Sequence, residues 1–202
     1  MFKIYTKKGD TGMTSTYNGE RKHKYDDLFH THGAIDDLIG KVQWVVHSLK
    51  KIREHENENK KKEILSQLVE ITENLFVLQT ILSTLNKDKK KFDFLPLVSV
   101  MEKNIDNMTN KMPKLTSFVI PGGSECNLRA NDTRVQARFC ERLCLQYATE
   151  NGHKDYLGEI GGLRFMNRLS DYFFTVERYS NYIDKDIPEN EKETTIKIKN
   201  FF

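Results

Sequence analysis

The apolar positions of the chain fall into stretches whose period is that of an α-helix. Ile35, Leu38, Ile39, Val42, Val45, Val46, Leu49 and Ile52 recur at three-and-four spacing, which predicts a one-sided helix. The charged run 50–62 is expected to end that helix and connect it to the next. Ile64, Leu65, Leu68, Ile71, Leu75, Leu78, Ile81, Leu82 and Leu85 define a second long helix, and 87–91 reads as a solvated connector. Leu97, Val98, Met101, Ile105 and Met108 mark a third, with Leu95-Pro96 at its start and Met112-Pro113 beyond its end. A fourth begins after Gly122-Gly123-Ser124, with Ser124 as N-cap, and stops at Asn151-Gly152. A fifth covers about 162–182, with Leu163, Met166, Leu169, Tyr172, Phe173 and Val176 as its apolar face. Long helices with short links predict an all-α fold, an antiparallel five-helix bundle over residues 1–183. Residues 184–202 form a charged tail, closing on Ile196 to Phe202, which alternates like a strand.

Two segments carry more than packing. On the fourth helix Arg134, Arg138 and Arg142 recur at i, i+4 and i+8, on one face, interleaved with Leu128, Val135, Ala137, Phe139 and Leu143. Like charges at that spacing repel by roughly 0.2–0.5 kcal/mol per exposed pair. The stripe is therefore either a solvated, salt-bridged face or a surface that meets an anion. Arginine's planar fork suits phosphate or carboxylate better than lysine's point charge does. Glu141, three residues after Arg138, can hold a guanidinium in place. Near the N-terminus, Gly9 and Gly12 let the backbone turn so that its N–H groups converge on an oxyanion. Thr6, Thr11, Thr14 and Ser15 add hydroxyls, and Lys7, Lys8 and Lys24 add charge. The same run also reads as a flexible polar arm. It is not a Walker loop, and no dinucleotide fingerprint is present.

Composition narrows the classes. The 202 residues suit one domain with a sizeable core. The net charge of +3 arises from 32 basic and 29 acidic residues, and aromatics are not interleaved with the basic ones. Nucleic-acid binding is therefore not expected. No apolar run is long enough to cross a membrane. Cys126, Cys140 and Cys144 share the fourth helix, and packing is expected of them rather than metal binding or disulfides. No metal site is expected. The first motif starts two residues in, which predicts a cytoplasmic protein, or a mitochondrial one if a eukaryotic presequence has been removed. His30 and His32 read as solvent-facing loop residues.

Three separated segments, in order, resemble the PduO-type ATP:cob(I)alamin adenosyltransferases. The first runs from Lys3-Ile4-Tyr5-Thr6 through Gly9-Asp10-x-Gly12 to Arg21, Lys24 and Gly33-Ala34-Ile35-Asp36-Asp37-Leu38. The second is Phe118-Val119-Ile120-Pro121-Gly122-Gly123-Ser124, followed by Arg134, Arg138, Glu141 and Arg142. The third is Met166-Asn167-Arg168-Leu169-Ser170-Asp171-x-x-Phe174. The resemblance covers residues 3–181.

That resemblance implies transfer of the 5′-deoxyadenosyl group of ATP to cob(I)alamin, giving adenosylcobalamin and triphosphate. ATP with Mg²⁺ and cobalamin are the implied ligands. It implies a ferritin-like bundle with an N-terminal nucleotide-binding loop, assembled as a homotrimer with active sites between subunits. The loop from Thr6 to Ser15 (Thr6, Lys7, Lys8, Gly9, Asp10, Gly12, Thr14, Ser15) and Lys24 would wrap the triphosphate. Arg134 and Arg138 would approach triphosphate and adenosine, with Glu141 and Asn167 beside them. Phe118 would close the lower face of the corrin, and Asp36 would pair with Arg134 across the interface. A cobalamin reductase and an adenosylcobalamin-dependent mutase are the implied protein partners.

Each residue also has a plainer reading. Phe118 could be a core anchor, Asn167 to Asp171 helix capping and surface pairing, and Asp36 and Asp37 first-turn acids at a helix N-terminus. The chain departs from the family at four places. Asn131 stands where a histidine is usual, Phe139 where a second arginine is usual, Ile39 where an asparagine is common, and Thr31-His32 where a small residue and tyrosine are common. Losing one hydrogen-bond partner in a buried site costs roughly 1–3 kcal/mol. A non-catalytic cobalamin or nucleotide carrier, and a purely structural helical oligomer, are the competing readings.

Overall fold

A computed structural model describes residues 3–53, 58–85, 92–192 and 194–196. The protein is mostly helical, with two small sheets. A short hairpin, β1 (Met13–Ser15) and β2 (Arg21–His23), precedes helix α1 (Asp27–Lys51). Then come α2 (Glu58–Thr84), α3 (Leu95–Thr109), strand β3 (Phe118–Ile120), α4 (Glu125–Glu150), α5 (Lys154–Glu159), α6 (Gly162–Ile183), α7 (Glu189–Lys192) and β4 (Thr194–Ile196). Strand β4 returns antiparallel to β3, with Phe118 opposite Ile196 and Ile120 opposite Thr194. The expected helical architecture holds, and these short strand pairs are added to it. Three-residue strands are too short to leave a period-two pattern in the sequence. The expected connector 87–91 and residues 197–202 lie outside the described residues.

Side-chain contacts fix the directions of the helices. Lys41 meets Asp132 at 2.6 Å and Lys51 meets Glu125 at 3.3 Å, so α1 and α4 run antiparallel. Gln79 of α2 donates to the carbonyl of His32 and to Asp36, reversing α2 against α1. Arg168 pairs with Glu102 at 2.9 Å, and Phe94 stacks on Phe165, so α3 runs alongside α6 in the same sense. The core gathers Leu38, Val42, Leu68, Leu75, Met101, Cys140, Phe165, Tyr172 and Phe173, all fully buried. Helix α6 is the most enclosed element: every residue from 175 to 181 is buried, polar ones included. Among the described residues no helix is long and apolar enough to cross a membrane.

Two boundaries differ from the sequence expectation. Helix α1 starts eight residues earlier than its apolar pattern, because Asp26 caps it by accepting from the Leu28 N–H at 3.0 Å. Leu28, Thr31 and Ala34 are buried in its first turns. Asp36 and Asp37 are therefore mid-helix, and His30 and His32 are helical rather than in a loop. Helix α2 begins inside the charged run. Lys61 Nζ donates to the carbonyls of Lys50 and Ile52, covering the end of α1, and Lys60 sits on Glu63 at 2.6 Å.

Candidate active site

The turn before α4 is fastened by buried amides. Ser124 Oγ accepts from the Asn127 N–H at 3.0 Å, the N-cap bond expected of it. Asn127 Oδ1 accepts from the Gly122 N–H at 2.9 Å, and its Nδ2 donates to the Glu177 carbonyl at 3.0 Å. From α6, Asn181 Oδ1 accepts from the Ser124 N–H, and its Nδ2 donates to the carbonyls of Gly122 and Lys192. Gly123 has φ +85°, and a Cβ there would meet the Asn181 amide at 2.8 Å. Glycine is required on both counts. The clamp leaves β3 with Phe118 68 % exposed, so the core-anchor reading of Phe118 is wrong.

Beyond the turn, the three arginines of α4 have different settings. Arg134 is half-buried; its Nη2 donates to Asn131 Oδ1 at 2.8 Å, and its Nε lies 3.6 Å from Glu177 Oε2. Arg138 is exposed, and its guanidinium has no hydrogen bond or ion pair among the described residues. Arg142 donates to the Arg138 carbonyl at 3.0 Å and lies over the Phe139 ring. Glu141 does not hold Arg138, as its spacing suggested. It reaches across to α6 and accepts from Asn167 Nδ2 at 2.8 Å. That bond joins the second and third sequence motifs directly. Arg168 and Asp171 pair with each other at 2.7 Å, a surface contact.

The N-terminal loop is a separate structure. Turns close it through Asp10 N to Lys7 O and Gly12 N to Gly9 O, both 3.3 Å. Arg21 ties it to the hairpin through the Lys8 carbonyl at 2.9 Å and Ser15 Oγ at 3.4 Å. Lys24 bonds the Gly12 carbonyl through its N–H, and its Nζ lies 3.3 Å from where a Gly9 Cβ would be. A side chain at Gly9 would push the ammonium away. Thr6, Lys7, Lys8, Asp10 and Gly12 are exposed, and Thr14 half-buried.

Burial, with smaller contributions from Asp26, Glu20 and Asp27, pushes the Tyr147 hydroxyl up to about 12 near the C-terminal end of α4. Among the described residues no hydrogen bond or ion pair joins the loop 6–15 or Lys24 to Arg134 or Arg138. Nor does Asp36 meet Arg134 within the chain: Asp36 accepts from Gln79 on α2 at 2.7 Å, whereas Arg134 faces α6.

No side chain here is set up as a nucleophile. Burial pushes the Cys126 thiol up to about 11 and the Cys140 thiol up to about 12, and raises Cys144 further. Cys140 Sγ donates to the Ala34 carbonyl at 3.0 Å, so the three thiols are packing groups, as expected. No cluster of three His, Cys, Asp or Glu could hold a metal among the described residues. Sequence reading missed Glu177, Ser180, Asn127 and Asn181. The available signal was polar residues in the second half of α6, which look like a solvated face until its all-round burial is known.

The geometry joins the second and third of the motifs that carried the family resemblance, and comparison with known proteins agrees with that resemblance. A sequence profile of the cobalamin adenosyltransferases matches residues 4–180. The chain belongs to the cobalamin adenosyltransferase family. Among its relatives, the corrinoid adenosyltransferase MMAB of Bos taurus is 29% identical over 178 residues, 88% of this chain and 71% of that protein. The corrinoid adenosyltransferase of Bacillus subtilis (strain 168) is 30% identical over 180 residues, covering 89% and 86%. Solved structures of a PduO-type ATP:corrinoid adenosyltransferase from Lactobacillus reuteri share the fold. A phenylalanine-to-histidine variant complexed with cobalamin and ATP aligns with a TM-score of 0.76 at 29% identity, covering 97% of each chain. An arginine-to-lysine variant complexed with ATP aligns with a TM-score of 0.74 at 29% identity, covering 96% of this chain and 100% of the other.

Proposed function

We infer that this chain transfers the 5′-deoxyadenosyl group of ATP to cob(I)alamin, forming adenosylcobalamin and releasing triphosphate. One observation carries the reading. The Glu141–Asn167 bond and the Asn127–Asn181 clamp hold the arginine helix, the third motif and the Phe118 turn as one unit. In the reaction, the cobalt electron pair of the substrate forms the bond to C5′, and the C5′–O pair leaves with the triphosphate. No protein nucleophile is needed, which suits thiols kept protonated by burial. The protein's work is to align C5′ with cobalt and to stabilise the departing charge.

We assign the loop 6–15 and Lys24 to the triphosphate, and Arg134 and Arg138 to triphosphate and adenosine. Asn167, oriented by Glu141, takes the nucleotide, and exposed Phe118 takes the lower face of the corrin. Mg²⁺ fits this loop as a companion of the triphosphate. Asp10 and the hydroxyls of Thr6 and Thr11 are hard oxygen donors, and Mg²⁺ is commonly held by one or two carboxylates plus phosphates. When bound, it neutralises triphosphate charge.

We read α1, α2, α3, α4 and α6 as one bundle, antiparallel except where α3 runs parallel to α6, and the assembly as a homotrimer with sites between neighbours. Two features support this. Among the described residues the loop 6–15 and Lys24 make no hydrogen bond or ion pair to Arg134 or Arg138. Leu128, Val135 and Phe139 on α4 and Trp44 on α1 are large apolar groups left exposed, with Arg129 stacked 4.6 Å from the Trp44 ring. A reductase supplying cob(I)alamin and a mutase accepting the product are the protein partners this reading calls for.

The test is an anaerobic assay with pre-reduced cob(I)alamin and ATP–Mg²⁺, following absorbance as the cobalt–carbon bond forms. Adenosylcobalamin above the no-enzyme control is expected. ATP bound without product would overturn the enzyme in favour of a carrier. A thermal melt unmoved by ATP–Mg²⁺ would favour a structural oligomer, because ligand at 100 times its Kd should stabilise by about 2.7 kcal/mol.

A further inference from the structure

Arg134 is the most firmly held arginine of the α4 stripe, and what holds it lies outside the residues that sequence motifs assign. Glu177 on α6 is 1 % exposed, and its Oε2 faces Arg134 Nε at 3.6 Å. Its main chain is fixed as well. The Glu177 carbonyl accepts from Asn127 Nδ2 at 3.0 Å and from Ser180 Oγ at 2.8 Å. Asn127 is also the side chain that holds the Gly122 N–H. The turn that presents Phe118 and the carboxylate that faces Arg134 are thus fastened to the same residue.

A carboxylate this deeply buried is a poor choice for stability alone. Desolvation commonly offsets what a buried ion pair contributes, and an apolar residue in its place is often neutral or better. The geometry is also not that of a closed fork, in which two parallel N–H···O bonds occupy both sides of a guanidinium. Glu177 approaches the Nε edge, Asn131 takes Nη2, and Nη1 makes no hydrogen bond among the described residues. The group is therefore oriented but not used up.

We propose that Glu177 is a positioning residue for the adenosyl transfer, fixing the Nε edge of Arg134 so that its Nη1 side is presented to the nucleotide. This rests on the assignment of Arg134 to ATP made above. With Glu177 beside it, Arg134 acts as a directional hydrogen-bond donor rather than an added net charge. Net positive charge for the triphosphate then comes from Arg138 and the loop lysines. Removing the carboxylate should therefore disturb alignment in the transition state more than it disturbs ATP affinity.

The test uses the full chain with Glu177→Gln, which keeps the shape and removes the charge. Wild type, Glu177→Gln, Arg134→Lys and the double variant are assayed side by side for kcat and for KM for ATP. Thermal melts are run on each. The expected result is a kcat at least tenfold lower for Glu177→Gln, a KM for ATP within about threefold of wild type, and an unchanged melt. In the Arg134→Lys background the same change should lower kcat by less than about twofold, since coupled residues are not additive. An active wild type with unaffected Glu177→Gln would overturn this inference alone. So would a loss that persists undiminished in the Arg134→Lys background, or one that merely follows a lost melt. A wild type that makes no adenosylcobalamin would overturn the functional reading and this inference with it.

Discussion

Arg134 and Arg138 are one helical turn apart, yet substitution should affect them in opposite ways. Arg138 is exposed and its guanidinium makes no hydrogen bond or ion pair among the described residues, so Arg138→Ala should abolish ATP binding and adenosylation with an unchanged melt. Arg134→Met instead leaves Glu177, at 1 % exposure, without its facing cation. It should cost up to about 3 kcal/mol in urea unfolding, less than a fully buried pair loses, because Arg134 is partly solvated. Equal melts for the two variants would contradict this. Of this contrast the sequence shows only the arginine spacing. That one of the three is enclosed depends on Glu177, forty-three positions away, a distance no local pattern spans. His32 offers a second residue-scale test. Burial holds its imidazole below its ordinary value of 6.5, opposed by Asp36 and by the hydrogen bond with Gln79. As pH falls, the unfolded chain takes up this proton first. The stability contributed by neutral His32 is complete above about 6.5 and is lost as pH drops through that value toward the lower folded one. His32→Gln should flatten the fall in unfolding free energy between pH 7 and 5, and an unchanged slope would remove His32 from that role.

At the scale of elements, the long helices were legible because each buries one face, and burial of one face is what a three-and-four period records. The start of α1 was not, since its first turns use Thr31 and Ala34 as core residues and carry Asp27, His30 and His32 among them. Capping chemistry, in Asp26, marks the boundary that hydropathy misses. The second half of α6 failed for the opposite reason. Its polar residues are buried and satisfied by the α4 turn, so a polar pattern stands for an interior. The turn itself combines both cases: Gly122-Gly123-Ser124 announced a helix start, and only the fold shows why glycine is needed at 123. Gly123→Ala would force an L-residue into the left-handed region and drive a methyl into the Asn181 amide. A cost of about 2 kcal/mol is expected in denaturant unfolding. The clamp should loosen with it, so corrin adenosylation should fall while the thermal shift given by ATP–Mg²⁺ persists. Loss of the ATP shift together with activity would mean that the turn serves the nucleotide rather than the corrin.

For the whole molecule, the question is how a loop that makes no hydrogen bond or ion pair to Arg134 or Arg138 among the described residues can serve the same ATP as they do. In the trimer proposed above, a neighbouring copy related by rotation would set one chain's loop against the next chain's arginines, and a closed ring would repeat the junction at every interface. The exposed apolar groups Trp44, Leu128 and Val135 supply a surface for such a contact. A subunit-mixing experiment decides between the arrangements. Arg138→Ala chains keep an intact loop, and Lys24→Glu chains keep intact arginines; each alone should be inactive. If every site takes its loop from one chain and its arginines from the next, random co-assembly at equal amounts rebuilds about one site in four. The mixture, unfolded and refolded together, should then recover about a quarter of wild-type adenosylation. If each site lies within one chain, every chain in the mixture is defective and refolding recovers nothing. Recovery that appears only after co-refolding, and disappears when Val135→Asp keeps the chains apart, would tie activity to the interface rather than to a stray population of either variant.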